Sequence, residues 1–257
     1  MVLGCDVGSL TAKAVIMKGQ EIVASAVLRA GTKPETSALK VFELALEKGG
    51  LKKEDIGFAV GTGYGKERIP FVNRAESEIS CHAKGAWWRM PSARMIIDIG
   101  GQDAKAIKLD EAGNVIRYVY NDKCASGTGR FLEIMADALE VKLEDMGSVG
   151  STSTEKITIS NQCVIFAETE VVSLINEGRN ACDIINALHH AMANRVASLA
   201  KSIGVSEDVV MTGGVAKNKG VFMALSEGLG VPVKPLEGID PQLNGALGAA
   251  LIASQNI

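Results

Sequence analysis

The chain has 257 residues, with 27 Lys plus Arg against 30 Asp plus Glu and a formal net charge of −3, so no electrostatic bias points to nucleic acid or an anionic membrane as partner. A hydrophobic fraction of 47% with 22% charged residues excludes disorder and provides for one large or two medium lobes. Aromatics make up only 4% while glycines number 28, a pairing suited to an aliphatic core and a backbone that approaches a ligand closely.

The N-terminal segment turns apolar at Val2 and is broken by Asp6 without a basic leader. It does not read as a secretory signal, no apolar run of about 18 residues offers a membrane span, and the cytoplasm is the expected location. In chain order, Val2 to Cys5 reads as a strand, followed by strand-like runs at Val15 to Met17 and Ile22 to Leu28 about Gly19, a β-meander. Pro34 to Lys48 has helical spacing (Leu39, Phe42, Leu46) and stops at Gly49-Gly50, and Ile56 to Val60 reads as a buried strand. Glu78 to Trp88 reads as a helix ended by Pro91, which sets a lobe boundary at 92/93: a first lobe of 1–92 and a second of 93–257, with the C-terminal helix a candidate to pack back on the first.

The second half opens like the first, with apolar runs at Met95 to Ile97, Ile107 to Leu109 and Val115 to Val119. Helices are predicted over Arg130 to Leu139, Phe166 to Asn176 and Asp183 to Ser202, and a strand over Val209 to Met211 closing on Gly213-Gly214 before a further helix. Asp240-Pro241 supplies an N-cap and first-turn proline for the last, Ala- and Gly-rich helix.

An internal repeat organises these elements. Residues 6–14 read DVGSLTAKA and residues 98–106 read DIGGQDAKA, identical at five of nine positions. A turn glycine lets backbone N–H groups face outward, and a row of them forms a concavity for phosphate oxygens. Two such turns would grip a polyphosphate, with Ser9, Thr11 and Lys13 adding donors and charge. Asp6 and Asp98 would hold hydrated Mg2+, an ion that keeps its waters and takes few carboxylates. A single Asp-x-Gly turn is ordinarily only a hairpin; the duplication singles it out. The third element, Val209 to Asn218 with Thr212-Gly213-Gly214, offers flat access for an adenine or ribose with Lys217 or Asn218 within reach, or is simply a helix start. The three motifs resemble the two phosphate motifs and the adenosine motif of the sugar kinase, Hsp70 and actin superfamily. That resemblance implies an α/β protein of two ribonuclease-H-like lobes with an interlobe nucleotide cleft.

Five cysteines, Cys5, Cys81, Cys124, Cys163 and Cys182, are odd in number and form no CxxC pair, which argues against a disulfide framework and leaves isolated thiols or a composite metal site open. Cys124 in NDKCASGTGR (121–130) and Cys163 in SNQCVIFAE (160–168) stand near predicted helix starts, where partial positive charge stabilises an anion. A cubane cluster takes four thiolates, so two per chain would complete one only across a two-fold axis. Packing is the expectation for Cys5, Cys81 and Cys182, and no role is assigned to His82, His189 or His190.

DVGSLTAK, GTGYG (61–65), SEISCHAKGA (77–86), IDIGGQD, NDKCASGTGRFLE, the Cys163 segment and TGGVAKN together closely resemble, nearly end to end, the ATP-dependent activators of 2-hydroxyacyl-CoA dehydratases, which group with the ATPase subunits of benzoyl-CoA reductase. The resemblance implies an ATP-hydrolysing one-electron donor with ATP or ADP at Gly8, Ser9, Leu10, Thr11, Lys13, Gly100, Gly101, Gln102, Gly213, Gly214, Val215, Lys217 and Asn218. It implies Mg2+ held through water by Asp6 and Asp98, with Gln102 and Asp103 orienting the attacking water. It further implies one 4Fe-4S cluster per homodimer on Cys124 and Cys163 of each subunit. Implied partners are an iron-sulfur 2-hydroxyacyl-CoA dehydratase or related double-cubane protein, and ferredoxin or flavodoxin as electron source. Leu10 departs from the Thr or Ser often found there, which keeps a backbone contact and removes a hydroxyl one. A small-molecule kinase or a nucleotide-switched regulator on the same fold stays open as the alternative.

Overall fold

Every residue of the first strand, Val2–Val7 (β1), is buried, because it lies at the centre of a five-stranded sheet covered on both faces. The computed structural model describes residues 1–159 and 163–256. Thr11–Lys18 (β2) and Glu21–Arg29 (β3) complete the predicted meander, and Phe58–Thr62 (β4) and Arg74–Ala75 (β5) add to its other side, giving the order β3-β2-β1-β4-β5. β1 runs antiparallel to β2 and parallel to β4.

The period-two alternation of β1 sends its side chains to two cores. Leu3, Cys5 and Val7 pack with Ala38, Val41, Phe42 and Ala45 of the helix Pro34–Gly49 (α1). Val2 joins Val15, Met17, Val60 and the C-terminal helix Asn244–Ala253 (α8) on the other face. Each fully buried aliphatic side chain here is worth about 1.5–3 kcal/mol. A Cβ on Gly4 would overlap the Ala246 carbonyl, so glycine lets α8 lie directly on β1. The helix Glu78–Arg89 (α2) packs against α8 in turn.

The chain divides into two compact units, one of Met1–Ile96, Leu109–Ile116 and Leu236–Ile257, the other of Ile97–Lys108 and Arg117–Pro235. The sequence set the boundary at 92/93 and counted 236–257 with the second lobe while marking the C-terminal helix as a candidate to pack back on the first; the packing of α8 on β1 joins that segment to the first unit.

The second sheet has the order β10-β9-β6-β7-β8, from Met95–Ile99 (β6), Ala104–Leu109 (β7), Val115–Asn121 (β8), Val209–Thr212 (β9) and Val233–Pro235 (β10). Its helices are Gly129–Ala138 (α3), Met146–Gly150 (α4), Val164–Asn176 (α5), Ala181–Lys201 (α6) and Lys219–Leu229 (α7). α6 packs on α7 and α4, and α3 on α5.

Several boundaries differ from expectation for local reasons. The strand predicted from Ile56 begins at Phe58, because a 3-10 turn over Lys53–Asp55 precedes it, held by the Lys52 N–H donating to Asp55 Oδ2 at 2.8 Å. A 3-10 turn, Gly214–Lys217, likewise separates the Gly-Gly turn from α7. Asp240 caps the 3-10 turn Pro241–Leu243 through the Gln242 N–H, one turn ahead of α8. Among the described residues no helix is long and apolar enough to cross a membrane.

Candidate functional site

The repeat seen in the sequence is a repeat of atoms. In the β1–β2 turn the Gly8 N–H donates to the Thr11 carbonyl at 3.0 Å; in the β6–β7 turn the Gly100 N–H donates to the Asp103 carbonyl at 2.9 Å. Strand register puts Lys13 opposite Asp6, and its Nζ lies 3.2 Å from Asp6 Oδ2. The equivalent Lys105 Nζ lies 3.7 Å from Asp98 Oδ2 and also pairs with Asp103. Asp6 and Asp98 are 4% and 3% exposed, so each lysine offsets the cost of burying a carboxylate. Ser9, Leu10, Thr11 and Gly101 are half-buried and Gln102 is exposed at the tip of the second turn.

A third repeated feature sits on the neighbouring strands. Thr62, at the end of β4, is the register partner of Asp6, and Thr212 ends β9, which lies beside β6. Each is followed by a left-handed glycine, Gly63 at φ 92° and Gly213 at φ 88°. A Cβ on Gly63 would meet the Val7 carbonyl oxygen, and one on Gly213 the Ile99 carbonyl oxygen, and Val7 and Ile99 are themselves equivalent positions of the repeat. The hydroxyls differ: Thr212 Oγ1 donates to Asp98 Oδ1 at 2.7 Å, whereas Thr62 Oγ1 donates to the Glu76 carbonyl at 3.2 Å. Sequence reasoning selected Gly213 and quoted Thr212, Thr62 and Gly63 only within motifs, without giving any of the three a role; a Thr-Gly pair ending two strands was the available signal.

Past Gly213 and Gly214, Val215 is buried and Lys217 ends the 3-10 turn. Asn218 caps α7, its Oδ1 accepting from the N–H groups of Gly220 (3.0 Å) and Val221 (3.2 Å). Its Nδ2 stands 3.2 Å from His189 Nε2, so the amide donates and the imidazole accepts, placing the ring proton on Nδ1. His189 is fully buried, and burial, then the neighbouring His190, push its pKa down to about 4.

The five cysteines are free thiols. Cys5 and Cys81 are buried, and desolvation raises the Cys5 thiol well above its usual range and pushes Cys81 up to about 12. These are packing residues. Cys124, Cys163 and Cys182 are half-buried. Cys163 occupies the N-cap position of α5 in extended conformation; residues 160–162 of its motif lie outside the described residues. Cys124 lies five residues ahead of α3, which begins at Gly129, one residue before the predicted Arg130: Gly127 at φ 84° turns the chain and Thr128, extended, precedes the first helical residue. The helix is seated on the second glycine turn, the Gly129 N–H donating to the Gly100 carbonyl (2.9 Å) and the Arg130 N–H to that of Gly101 (2.8 Å). Among the described residues no group of three or more His, Cys, Asp or Glu is gathered to hold a metal ion. Within one chain the described residues gather no four-thiolate set, and Cys124 and Cys163 are both half-buried free thiols.

Residues 3–253 match the BadF/BadG/BcrA/BcrD ATPase family. The activator of lactoyl-CoA dehydratase of Anaerotignum propionicum is 48% identical over 252 residues, covering 98% of this chain and 96% of that protein. Component A of the Acidaminococcus fermentans (R)-2-hydroxyglutaryl-CoA dehydratase superposes with a TM-score of 0.95 at 46% identity, covering 99% of this chain and 98% of the other. The activator of the 2-hydroxyisocaproyl-CoA dehydratase of Clostridium difficile, solved with bound ADPNP, gives 0.95 at 44% identity, covering 99% and 94%. A ROK family glucokinase of Streptomyces griseus, at 13% identity and a TM-score of 0.60 with 99% of both chains covered, shares the fold alone.

Proposed function

The chain belongs to the BadF/BadG/BcrA/BcrD ATPase family, and from that premise we propose that it is a cytoplasmic ATPase that activates a 2-hydroxyacyl-CoA dehydratase, or a related double-cubane protein, by ATP-driven transfer of one electron. The second half of this reading places one 4Fe-4S cluster in a homodimer, on Cys124 and Cys163 of each subunit, fed by ferredoxin or flavodoxin. When bound, the cluster supplies a carrier for a single electron. The observation that carries the reading is that the second glycine turn and the Cys124 loop are one hydrogen-bonded piece, joined where the first N–H groups of α3 meet the Gly100 and Gly101 carbonyls.

Gly8 and Gly100 use their N–H groups to close their own turns, so the phosphate donors in this proposal are the N–H groups that follow, of Ser9 and Leu10 and of Gly101 and Gln102. Lys13 and Lys105 already stand beside Asp6 and Asp98. That pairing leaves the carboxylates poorly suited to strip water from Mg2+ and well suited to accept hydrogen bonds from its water shell. Gln102, exposed at the turn tip, and Asp103, fixed by Lys105, orient the attacking water, and catalysis rests on positioning and charge stabilisation of the γ-phosphoryl group. Gly213, Gly214 and Val215 form the adenosine face, with Lys217 at its edge and Asn218 shaping it through the α7 cap.

Protein purified without oxygen should be brown and dimeric with about four irons per dimer, and Cys124→Ser or Cys163→Ser should abolish the iron while ATP still binds. A colourless, iron-free monomer would overturn the electron-transfer half and leave the ATPase.

A further inference from the structure

The Cys124 loop is held by one side chain that neither the nucleotide nor the thiol chemistry requires. Asn121 is the last residue of β8. Its Nδ2 donates to the carbonyls of Cys124 at 2.7 Å and Ser126 at 3.2 Å, and its Oδ1 accepts from the Cys124 N–H at 3.3 Å. A single amide thus grips both backbone groups of the cysteine and the carbonyl two residues on. The far end of the loop is fixed independently: Thr128, fully buried, bonds back to the Ala125 carbonyl through both its N–H and its hydroxyl, and α3 begins on the second glycine turn. Between these anchors the loop borders a cavity of about 240 Å3 lined in part by Asn121, Ser126, Gly127 and Arg195, so packing does not fill the space beside Asn121.

We propose that Asn121 is a positioning residue for Cys124, fastening the thiol-bearing loop to the rigid end of β8 so that the sulfur keeps one place relative to the second glycine turn. This rests on the reading of Cys124 as a cluster ligand only for its purpose; the fastening itself is a property of the free chain. With Asn121 in place, the two ends of the loop are tied to adjacent parts of one unit, and Cys124 follows the turn. Without it, the cysteine is tethered by backbone alone beside an open cavity. Both hydrogens that Asn121 donates sit on Nδ2, so a leucine of similar shape would keep the volume and lose the grip without adding charge beside the thiol.

The test uses the full-length, reduced, metal-free protein and iodoacetamide, with the Cys124 alkylation rate read by peptide mass spectrometry against Cys182 in the same molecule. Asn121→Leu and Asn121→Ser should each raise the ratio about tenfold, as loss of the grip exposes the thiol to attack, while nucleotide affinity stays unchanged. A ratio in Asn121→Leu equal to that of the unaltered protein overturns the proposal, since a space-filling role would not distinguish the two. Iron-reconstituted protein supplies the second readout: chelator should remove iron several-fold faster from Asn121→Leu, and an unchanged rate also counts against the grip. If the unaltered protein binds no iron yet the alkylation ratio rises, the positioning role stands and the cluster assignment falls.

Discussion

Set side by side, the turn after β1 and the turn after β6 keep the same closing hydrogen bond and the same Asp–Lys pair, and they part at the three tip positions. The first turn presents Ser9, Leu10 and Thr11, the second Gly101, Gln102 and Asp103. Lys13 serves one carboxylate, whereas Lys105 serves Asp98 and Asp103 together. Asp98 is also held by the Thr212 hydroxyl, while the matching Thr62 hydroxyl turns to the Glu76 carbonyl. Among the described residues, only the second turn carries a helix N-terminus on its carbonyls, that of α3. The duplication accordingly supplies a common frame of turn and ion pair, and the proposed division of labour assigns the water-orienting groups to the second turn, which also carries the link to the cysteine loop.

The largest effect that would test this asymmetry is on stability. Lys105→Met leaves two largely buried carboxylates without their cation and should cost about 3–5 kcal/mol, and Lys13→Met, which strands only Asp6 at a slightly more exposed site, should cost less. Denaturant melts with hydrogen exchange resolved by unit would show it, and equal losses would erase the distinction. Activity gives the next contrast. Asp103→Ala should lower kcat for ATP hydrolysis by at least about a hundredfold with little change in KM, while Thr11→Ala, at the equivalent position of the first turn, should leave kcat nearly intact. Parallel falls would mean that the turns share the chemistry.

The frame was legible because it is written in local signals. Strand alternation, the helix ended by Gly49-Gly50 and the repeat at residues 6 and 98 all depend on neighbours a few residues away. β5, β10 and α4 were not foreseen, at two, three and five residues, because such short elements hold no full period of hydrophobic pattern. In the candidate site, the glycines and aspartates of the repeat could be read directly. The roles of Thr212, Thr62 and Gly63 could not, although the motifs that hold them were visible, since those roles come from strand pairing between distant segments and their spacing follows loops of unequal length. The start of α3 was legible to within one residue, Gly129 against the predicted Arg130, because the left-handed Gly127 and the extended Thr128 set it locally.

A smaller effect concerns the third motif, which belongs to the second unit alone. His189 is neutral where it meets Asn218, with a pKa of about 4 against an ordinary 6.5. The unfolded chain therefore takes up the proton first: stability is whole above about pH 6.5 and drains away as the pH falls toward 4. At pH 5 the loss from this group is about 2 kcal/mol. Melts of the unaltered protein and His189→Gln at pH 7 and pH 5 should differ in their pH dependence by that amount, and superimposable profiles would remove the histidine from the α7 cap.

The finest contrast lies in the two threonines. Thr212→Val removes a hydroxyl from a carboxylate that is 3% exposed, and a hydrogen bond to a charged group of this kind is worth about 1.5 kcal/mol. Valine nearly matches the shape, so little of the change should come from packing. Thr62→Val removes a bond to a carbonyl instead and should cost about 1 kcal/mol or less. Stability alone would scarcely separate the pair, but Mg2+ dependence should. If Asp98 owes its orientation to Thr212, the Mg2+ concentration needed for half-maximal ATP hydrolysis rises in Thr212→Val and stays put in Thr62→Val. A rise in both would show that Thr62 shapes the Asp6 environment through the strand itself, and the two turns would then be more alike than their hydroxyls suggest.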